Sequence, residues 1–345
     1  MPELRHDPIQ RQWVIIASER ALRPSEFEVK VSQQPAEFCP FCPCNEDKTP
    51  PEILAIRDGF SAPNSPGWTV RVVANKYPAL RIEGNLDKAA EGLYDRMNGI
   101  GAHEIVIETP DHTRHMADQP PAHLAKVLRA MRDRLRDLMH DTRFLYVAMF
   151  RNYGENAGAT LSHPHSQLIA MPIVPEVIET ELLSARDHYL SRERCLFCDV
   201  IRQEIDAGTR IVHDDGSYVV FAPYASRSPF ELFLAPIRHQ HDFSLATDDE
   251  LEGLATAITK TLSRLRTALN DPPFNFVIHS APNLRPHSVW SQKFPALAEG
   301  YHWHVEIIPR LTKSAGFEWG TGFHINPTPP EQAAEYLRGA VESST

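Results

Sequence analysis

Apolar residues recur along the chain in two rhythms, and the order of those rhythms occurs twice. Short β-branched runs at 12–17, 70–74 and 104–108 predict strands, separated by turns rich in Pro, Gly and Asn. A helical period follows over about 120–139. Leu124, Val127, Leu128, Met131, Leu135 and Leu138 share one face, Arg129, Arg132 and Arg136 are expected on the wet side, and Pro120 or Pro121 suits the first turn. Residues 144–150 predict another strand, which leads through Arg151, Asn152, Tyr153 and Gly154 to His163 and His165 and then to a strand over 167–170.

The second half repeats the series. Cys195 and Cys198 precede expected strands at 218–221 and 230–235, followed by His239. A helix is expected over about 248–269, with Leu251, Leu254, Ile258, Leu262 and Leu265 on one side and a capping box made by Thr247 and Glu250. Strands at 274–278 and 302–308 complete it. His163 and His302 are 139 positions apart, as are His165 and His304, whereas Cys39 to Cys195 is 156 and His112 to His239 is 127. Loop lengths therefore differ while the order of landmarks persists. That recurrence predicts a duplicated α+β module with antiparallel sheets and packed helices. The first module is expected over 1–171, a connector over 172–194 and the second module over 195–345. The stretch 43–69, rich in Pro, Glu and Lys, reads as an irregular insertion.

Composition narrows the chemistry. The 345 residues carry a formal charge of −10 with no basic tail or block, which argues against broad binding to nucleic acid but leaves room for a small anionic substrate held by local donors. The start has no apolar signal-like region and no run approaches the length of a membrane span, so a soluble protein of a reducing cytoplasm, without membrane contact, is expected. Two of the five cysteines form Cys39-Pro40-Phe41-Cys42 and two form Cys195-Leu196-Phe197-Cys198. Such pairs near histidines read as thiolate ligands rather than as a disulfide framework. Cys39, Cys42, His112 and His163 would make one structural zinc site, and Cys195, Cys198, His239 and His302 a second. Cys44 competes with Cys42, and His103, His115 and His241 lie near enough in sequence to compete with the assigned histidines. If His163 binds metal, His165 stays free. An imidazole whose other nitrogen is oriented by a backbone carbonyl is a capable nucleophile toward an activated phosphoryl group, and Ser166 and Gln167 would offer polar contacts to its oxygens.

The segments Gln12-Trp13-Val14-Ile15, Cys39-Pro40-Phe41-Cys42, Ala74-Asn75-Lys76-Tyr77-Pro78-Ala79, Ser162-His163-Pro164-His165-Ser166-Gln167 and His302-Trp303-His304 together carry a resemblance. On them the chain resembles the galactose-1-phosphate uridylyltransferase family, a branch of the histidine-triad superfamily. The resemblance implies a duplicated histidine-triad-like fold, a homodimer and a ping-pong reaction on a nucleotide sugar and a sugar 1-phosphate. His165 would be the covalent nucleophile, Gln167 would face the transferred phosphoryl group, Asn152 and Arg20 would lie near the phosphates, and Asn75 near the nucleoside. The chain departs from the common bacterial pattern in two places. Ser166 stands where glycine is frequent, and the second cysteine pair stands where some relatives use a carboxylate and histidines for another metal. Both features resemble a branch with adenylyl-transferring and nucleotide-sugar phosphorylase relatives. Uridylyl transfer from UDP-glucose to galactose 1-phosphate is the expected activity; an ADP-sugar phosphorylase or adenylyltransferase, and a noncatalytic zinc-containing nucleotide-binding protein, are the alternatives.

Overall fold

The structure, a computed structural model, describes residues 1–17, 27, 38–284 and 289–340. Arg20, expected near the phosphates, lies outside the described residues. The chain forms β1 (Glu3–Asp7), β2 (Gln12–Ile16), β3 (Glu52–Arg57), β4 (Trp68–Ala74), the short pair β5 (Ala89–Glu91) and β6 (Tyr94–Arg96), β7 (Ala102–Ile107), α1 (Pro121–Leu138), β8 (Tyr146–Tyr153) and β9 (His165–Met171). Helices α2 (Glu176–Arg192) and α3 (Leu196–Ala207) lead to β10 (Ile211–Asp214), β11 (Tyr218–Phe221), β12 (Leu232–Pro236), α4 (Asp248–Leu269) and β13 (Phe274–His279). Then come α5 (Val289–Lys293), α6 (Leu297–Gly300), β14 (His304–Pro309), α7 (Gly316–Thr321), β15 (His324–Asn326) and α8 (Pro330–Gly339).

Ten strands make one antiparallel sheet in the order β10-β11-β12-β14-β13-β8-β9-β7-β4-β3. Counted inward from each edge, the halves run β3-β4-β7-β9-β8 and β10-β11-β12-β14-β13, so the same chain order is used twice. The halves meet where β8 pairs with β13, with Asn152 opposite Asn275. Period-2 alternation sends Val70, Val72, Val106, Met149 and Leu168 to one face, where α1 covers them with Leu124, Val127, Leu128 and Met131. On the same face α4 buries Leu254, Ile258 and Leu262 against Val220, Leu234, Phe276 and Val305. Each such fully buried side chain contributes roughly 1.5–3 kcal/mol. Helix α4 opens with the expected box: the Glu250 N–H donates to Thr247 Oγ1 at 3.2 Å, and the Thr247 N–H to Glu250 Oε2 at 2.8 Å. Among the described residues no helix is long and apolar enough to cross a membrane.

Several expectations need correction. The stretch 43–69 is not wholly irregular, because β3 pairs along β4 at the sheet edge and presses Leu54 and Ile56 toward the α1 core. Its alternation is masked by the ion pairs at its ends, where Glu52 binds Arg57 at 2.9 Å and Arg71 at 3.4 Å. The strand at 12–16 does not join the first half's sheet. It pairs with β1 and, in parallel, with β15 from the other end of the chain, and Arg5 of that hairpin reaches Glu331 of α8 at 2.8 Å. Arg132 is buried rather than wet, since α1 and α4 lie side by side and its guanidinium donates to the Ala246 carbonyl at 2.9 Å and to Asp248 at 2.8 Å. The last major strand starts at His304. His302 sits just before it, where the Trp303 N–H is taken by the Gln240 carbonyl at 2.9 Å.

Candidate functional site

The loop from β8 to β9 turns back sharply at Gly154, whose φ is +81° and where a Cβ would come within 2.8 Å of Pro273. Glycine is needed there on both counts. The loop rims a cavity of about 660 Å³ lined by Arg151, Asn152, Gly158, Ser162 and His165 among others. His165 opens β9 and is 7% exposed. Its Nδ1–H donates to the carbonyl of His163 at 2.8 Å, so in the neutral ring Nε2 is the nitrogen with the free lone pair. Burial holds its pKa below the ordinary histidine range, partly offset by that carbonyl, and the ring edge meets Phe41 at 5.5 Å between centroids. A neutral, oriented imidazole beside an open cavity is suited to attack on an electrophile.

Asn152 is oriented from the other half of the chain. Its Oδ1 accepts from Asn275 Nδ2 at 2.8 Å, and Asn275 in turn donates to the Ala157 carbonyl at 2.9 Å and accepts from Arg310 Nε. The Asn152 NH2 is thereby the end left for the cavity. Asn275 and Arg310 were missed by sequence reasoning, and only strand register could have found them.

Ser166 does not have the role expected of it. Alternation turns it to the helix-covered face, where it is fully buried and donates to Glu108 Oε1 at 2.7 Å, so its hydroxyl is not offered to a phosphate. The same carboxylate oxygen accepts from Arg151 Nε at 2.9 Å, and the Glu108 N–H donates to the Pro164 carbonyl at 3.1 Å. A wholly buried ion pair thus clamps the segment that carries His165. Removing one member strands the other charge, which costs roughly 3–5 kcal/mol. Arg151→Met is expected to lose about that much in chemical denaturation, and Arg151→Met with Glu108→Gln to recover most of it. Equal losses in the single and double variants would show that the pair is not coupled.

Gln167 lies one pleat beyond His165 on the same face of β9, and its Oε1 accepts from His103 Nε2 at 2.8 Å. Asn75 lies against the same histidine, its Nδ2 at 3.2 Å from the ring and its Oδ1 accepting from the Tyr77 N–H at 2.9 Å. Neither residue is on the cavity wall.

Three groups of donor atoms, each within 4.8 Å of one another, are present among the described residues. In the first, Cys39 and Cys42 from the turn before β3 meet His112 and His163; in the second, Cys195 and Cys198 at the start of α3 meet His239 and His302. Cys44 is exposed and outside the first group. Each histidine directs Nδ1 inward. Cys42 Sγ lies 3.3 Å from His112 Nδ1 and 3.6 Å from His163 Nδ1, the two Nδ1 atoms are 3.3 Å apart, and Cys198 Sγ lies 3.3 and 3.4 Å from His239 and His302 Nδ1. Three of the four outward nitrogens are held: His163 Nε2–H donates to the Thr109 carbonyl and His239 Nε2–H to the Ala298 carbonyl, both at 2.8 Å, and His112 Nε2 meets Ser162 Oγ at 2.9 Å, whereas His302 Nε2 is buried with no partner among the described residues. Burial lowers the His163 pKa to about 4, which keeps it neutral, as a ligand must be. Both groups could hold a tetrahedral metal ion.

The third group, Glu181, His279, His304 and Glu306, was not found from the sequence, because Glu181 comes from α2 and His279 from β13, without any motif. Only the His304/Glu306 alternation on β14 was visible. His304 repeats the posture of His165, with Nδ1 donating to the His302 carbonyl at 3.2 Å. Its ring, however, stacks on Phe233 at 4.5 Å, its Nε2 faces Glu181 at 3.7 Å, and it is 1% exposed. The duplicated histidine thus lines a smaller cavity of about 300 Å³ with its ring stacked and its Nε2 buried, where His165 opens on the larger one.

Comparison with known proteins identifies relatives of the whole chain. The family model for the N-terminal domain of galactose-1-phosphate uridyl transferase matches residues 1–175. An ADP-glucose phosphorylase of Arabidopsis thaliana is 32% identical over 98% of this chain and 92% of its own, and a galactose-1-phosphate uridylyltransferase of Thermotoga maritima is 26% identical over 98% of both. A crystal structure of an Arabidopsis thaliana ADP-glucose phosphorylase with bound ADP-glucose superposes over the full length of both chains, with a TM-score of 0.81 and 29% identity. With a matching family model over half its length and a relative of this similarity over nearly all of it, the chain belongs to the galactose-1-phosphate uridylyltransferase family.

Proposed function

We propose that the protein transfers a nucleotidyl group from a nucleoside diphosphate sugar through a covalent intermediate on His165. The observation that carries this reading is the His165 imidazole itself, with Nδ1–H bound to the His163 carbonyl and Nε2 free beside the cavity. In the first half-reaction the Nε2 lone pair attacks the α-phosphorus. The Nε2–P bond forms, the bond to the bridging oxygen breaks, and its electron pair leaves with sugar 1-phosphate. In the second, an oxygen of the acceptor phosphate attacks that phosphorus and the Nε2–P bond breaks, returning the lone pair to His165. Nδ1–H stays on the His163 carbonyl throughout and stabilises the positive ring. The NH2 of Asn152, on the cavity wall, and that of Gln167, beyond the wall but one pleat from His165 on the same face of β9, would donate to the phosphoryl oxygens as charge redistributes, the kind of positioned-donor assistance that dominates phosphoryl transfer. Asn75 would lie toward the nucleoside.

We further propose that the two cysteine–histidine groups each hold zinc. A tetrahedral centre with zinc's bond lengths requires S···N edges of about 3.6 Å and N···N edges of about 3.3 Å. The spacings in the first group, 3.3–3.6 Å and 3.3 Å, fit. The ions would be structural, since all four positions are protein ligands. The twofold use of one strand order likewise supports reading 1–171 and 195–345 as two copies of one unit, joined over 172–194.

Two donor readings stand. The first is uridylyl transfer from UDP-glucose to galactose 1-phosphate, the activity in the names of several relatives. The second, favoured by the 32% identity to a protein named ADP-glucose phosphorylase, is adenylyl transfer from ADP-glucose to phosphate. Steady-state rates with both donors against galactose 1-phosphate, glucose 1-phosphate and phosphate decide between them. A protein that converts neither donor and takes no label on His165 would be a binding module instead.

The pH dependence has a definite sign. Because burial lowers the pKa of His165, the reactive neutral ring persists below the ordinary histidine value of about 6.5. The rate of labelling should stay flat through pH 6.5 and fall only on further acidification. A single-turnover profile whose acid limb is centred above 6.5 would contradict this assignment.

A further inference from the structure

His103 takes part in neither metal group, yet it touches two of the residues assigned to the substrate. It lies on β7 opposite Ile169 of β9, one pleat from Ile105, which pairs with Gln167. The Ala79 N–H donates to its Nδ1 at 3.2 Å. A backbone N–H can only donate, so Nδ1 is bare and the neutral ring carries its proton on Nε2. That proton points at Gln167 Oε1, 2.8 Å away. The Gln167 carboxamide cannot be turned over without setting its NH2 against the Nε2–H, two donors face to face. The Asn75 NH2 lies beside both ring nitrogens, 3.4 Å from Nδ1 and 3.2 Å from Nε2, so it can donate only toward the bare Nδ1, and the Asn75 N–H donates to the His103 carbonyl at 2.8 Å.

We propose that His103 is a positioning residue for the transfer reaction: it fixes the Gln167 carboxamide by its oxygen, so that the NH2 is the end presented to the transferring phosphoryl group. The inference rests on the reaction proposed above. It parallels the arrangement at Asn152, whose oxygen is held by Asn275, so both carboxamides assigned to the phosphoryl group have their acceptor ends occupied, which leaves the NH2 as the end to be offered. It also gives Ala74-Asn75-Lys76-Tyr77-Pro78-Ala79 a function beyond the nucleoside, because that turn supplies the N–H that sets the tautomer.

The test follows the rate of nucleotide appearance on His165 by rapid quench, with His103→Phe, His103→Gln, Gln167→Ala and the His103→Phe/Gln167→Ala pair. Loss of one positioned donor costs roughly 10²–10³-fold, so loss of its orientation alone should slow the transfer step by roughly 10-fold or more, with the half-saturating donor concentration changed less than about 3-fold. His103→Gln keeps an N–H for the Gln167 oxygen and should recover most of the rate. His103→Phe should add nothing in the Gln167→Ala background. Labelling of His103→Phe at the wild-type rate, or the same loss in both backgrounds, would overturn the proposal. A second measurement does not depend on turnover: long-range ¹H–¹⁵N correlation of the histidine rings is expected to find the His103 proton on Nε2, and a proton on Nδ1 overturns the inference. If wild-type protein takes no label from any nucleotide sugar, the transfer reading falls and this role with it. If wild-type protein labels but the tautomer is wrong, only the role of His103 falls.

Discussion

His165→Asn is expected to lose nucleotide labelling by roughly 10³-fold or more while keeping its fold and whatever metal the two cysteine–histidine groups hold. The substitution removes the Nε2 lone pair that lies beside the cavity on a ring oriented by the His163 carbonyl. An asparagine amide can still donate to the His163 carbonyl, so the local hydrogen bond survives, but a carboxamide nitrogen is not nucleophilic. His165 is outside the first donor group, so metal content should not change. His163→Asn provides the contrast. It removes a donor from that group and also moves the carbonyl that orients His165, so metal and labelling should fall together. Peptide mass analysis after rapid quench, handled at neutral or alkaline pH to preserve a phosphoramidate, checks both variants. Label found on another residue, or undiminished exchange in His165→Asn, would remove the mechanism even if the protein transfers nucleotides.

Cys39→Ser is expected to lower bound zinc from two ions per chain to one, and Cys195→Ser to do the same, whereas Cys44→Ser leaves both. Structural zinc contributes about 10–16 kcal/mol of binding free energy in small domains. Losing a few kcal/mol of that on exchanging one thiolate would lower Tm by on the order of 10 °C. The two sites should then separate by activity. Cys39 and His163 face each other at 3.6 Å in the group that adjoins the strand carrying His165, so Cys39→Ser should reduce labelling as well as stability. Cys195→Ser, in the half whose equivalent histidine is packed against Phe233, should reduce stability with a much smaller effect on labelling. Metal analysis and calorimetry on unstripped protein measure this. Less than one tightly held zinc in the wild type, or a larger effect from Cys44→Ser, would reject the ligand assignment.

What the sequence determined by itself is what local rules encode. Helical spacing placed α1 and α4, the Thr247/Glu250 pattern capped α4, and β-branched alternation found the inner strands, because each of these depends on neighbours within about one turn or one pleat. The paired landmarks, offset by 139 positions from His163 to His302 and from His165 to His304, made the duplication legible, and the two C-x-x-C motifs made both donor groups legible. Charge and side-chain type did not reveal direction or partnership. Whether Arg132 faces water or Asp248, whether Ser166 faces the cavity or Glu108, and whether the strand at 12–16 joins its own half or β15 depend on register and on contacts 58 or more residues away. The tertiary structure alone decided the pairing of β8 with β13, which brings Asn275 to Asn152, and the assembly of Glu181, His279, His304 and Glu306 from separate elements. It also decided the difference between the two duplicated histidines. His165 and His304 share a local motif and the same Nδ1 hydrogen bond, but the larger cavity beside the first and the smaller cavity and aromatic stack at the second come from packing, which no window of sequence contains.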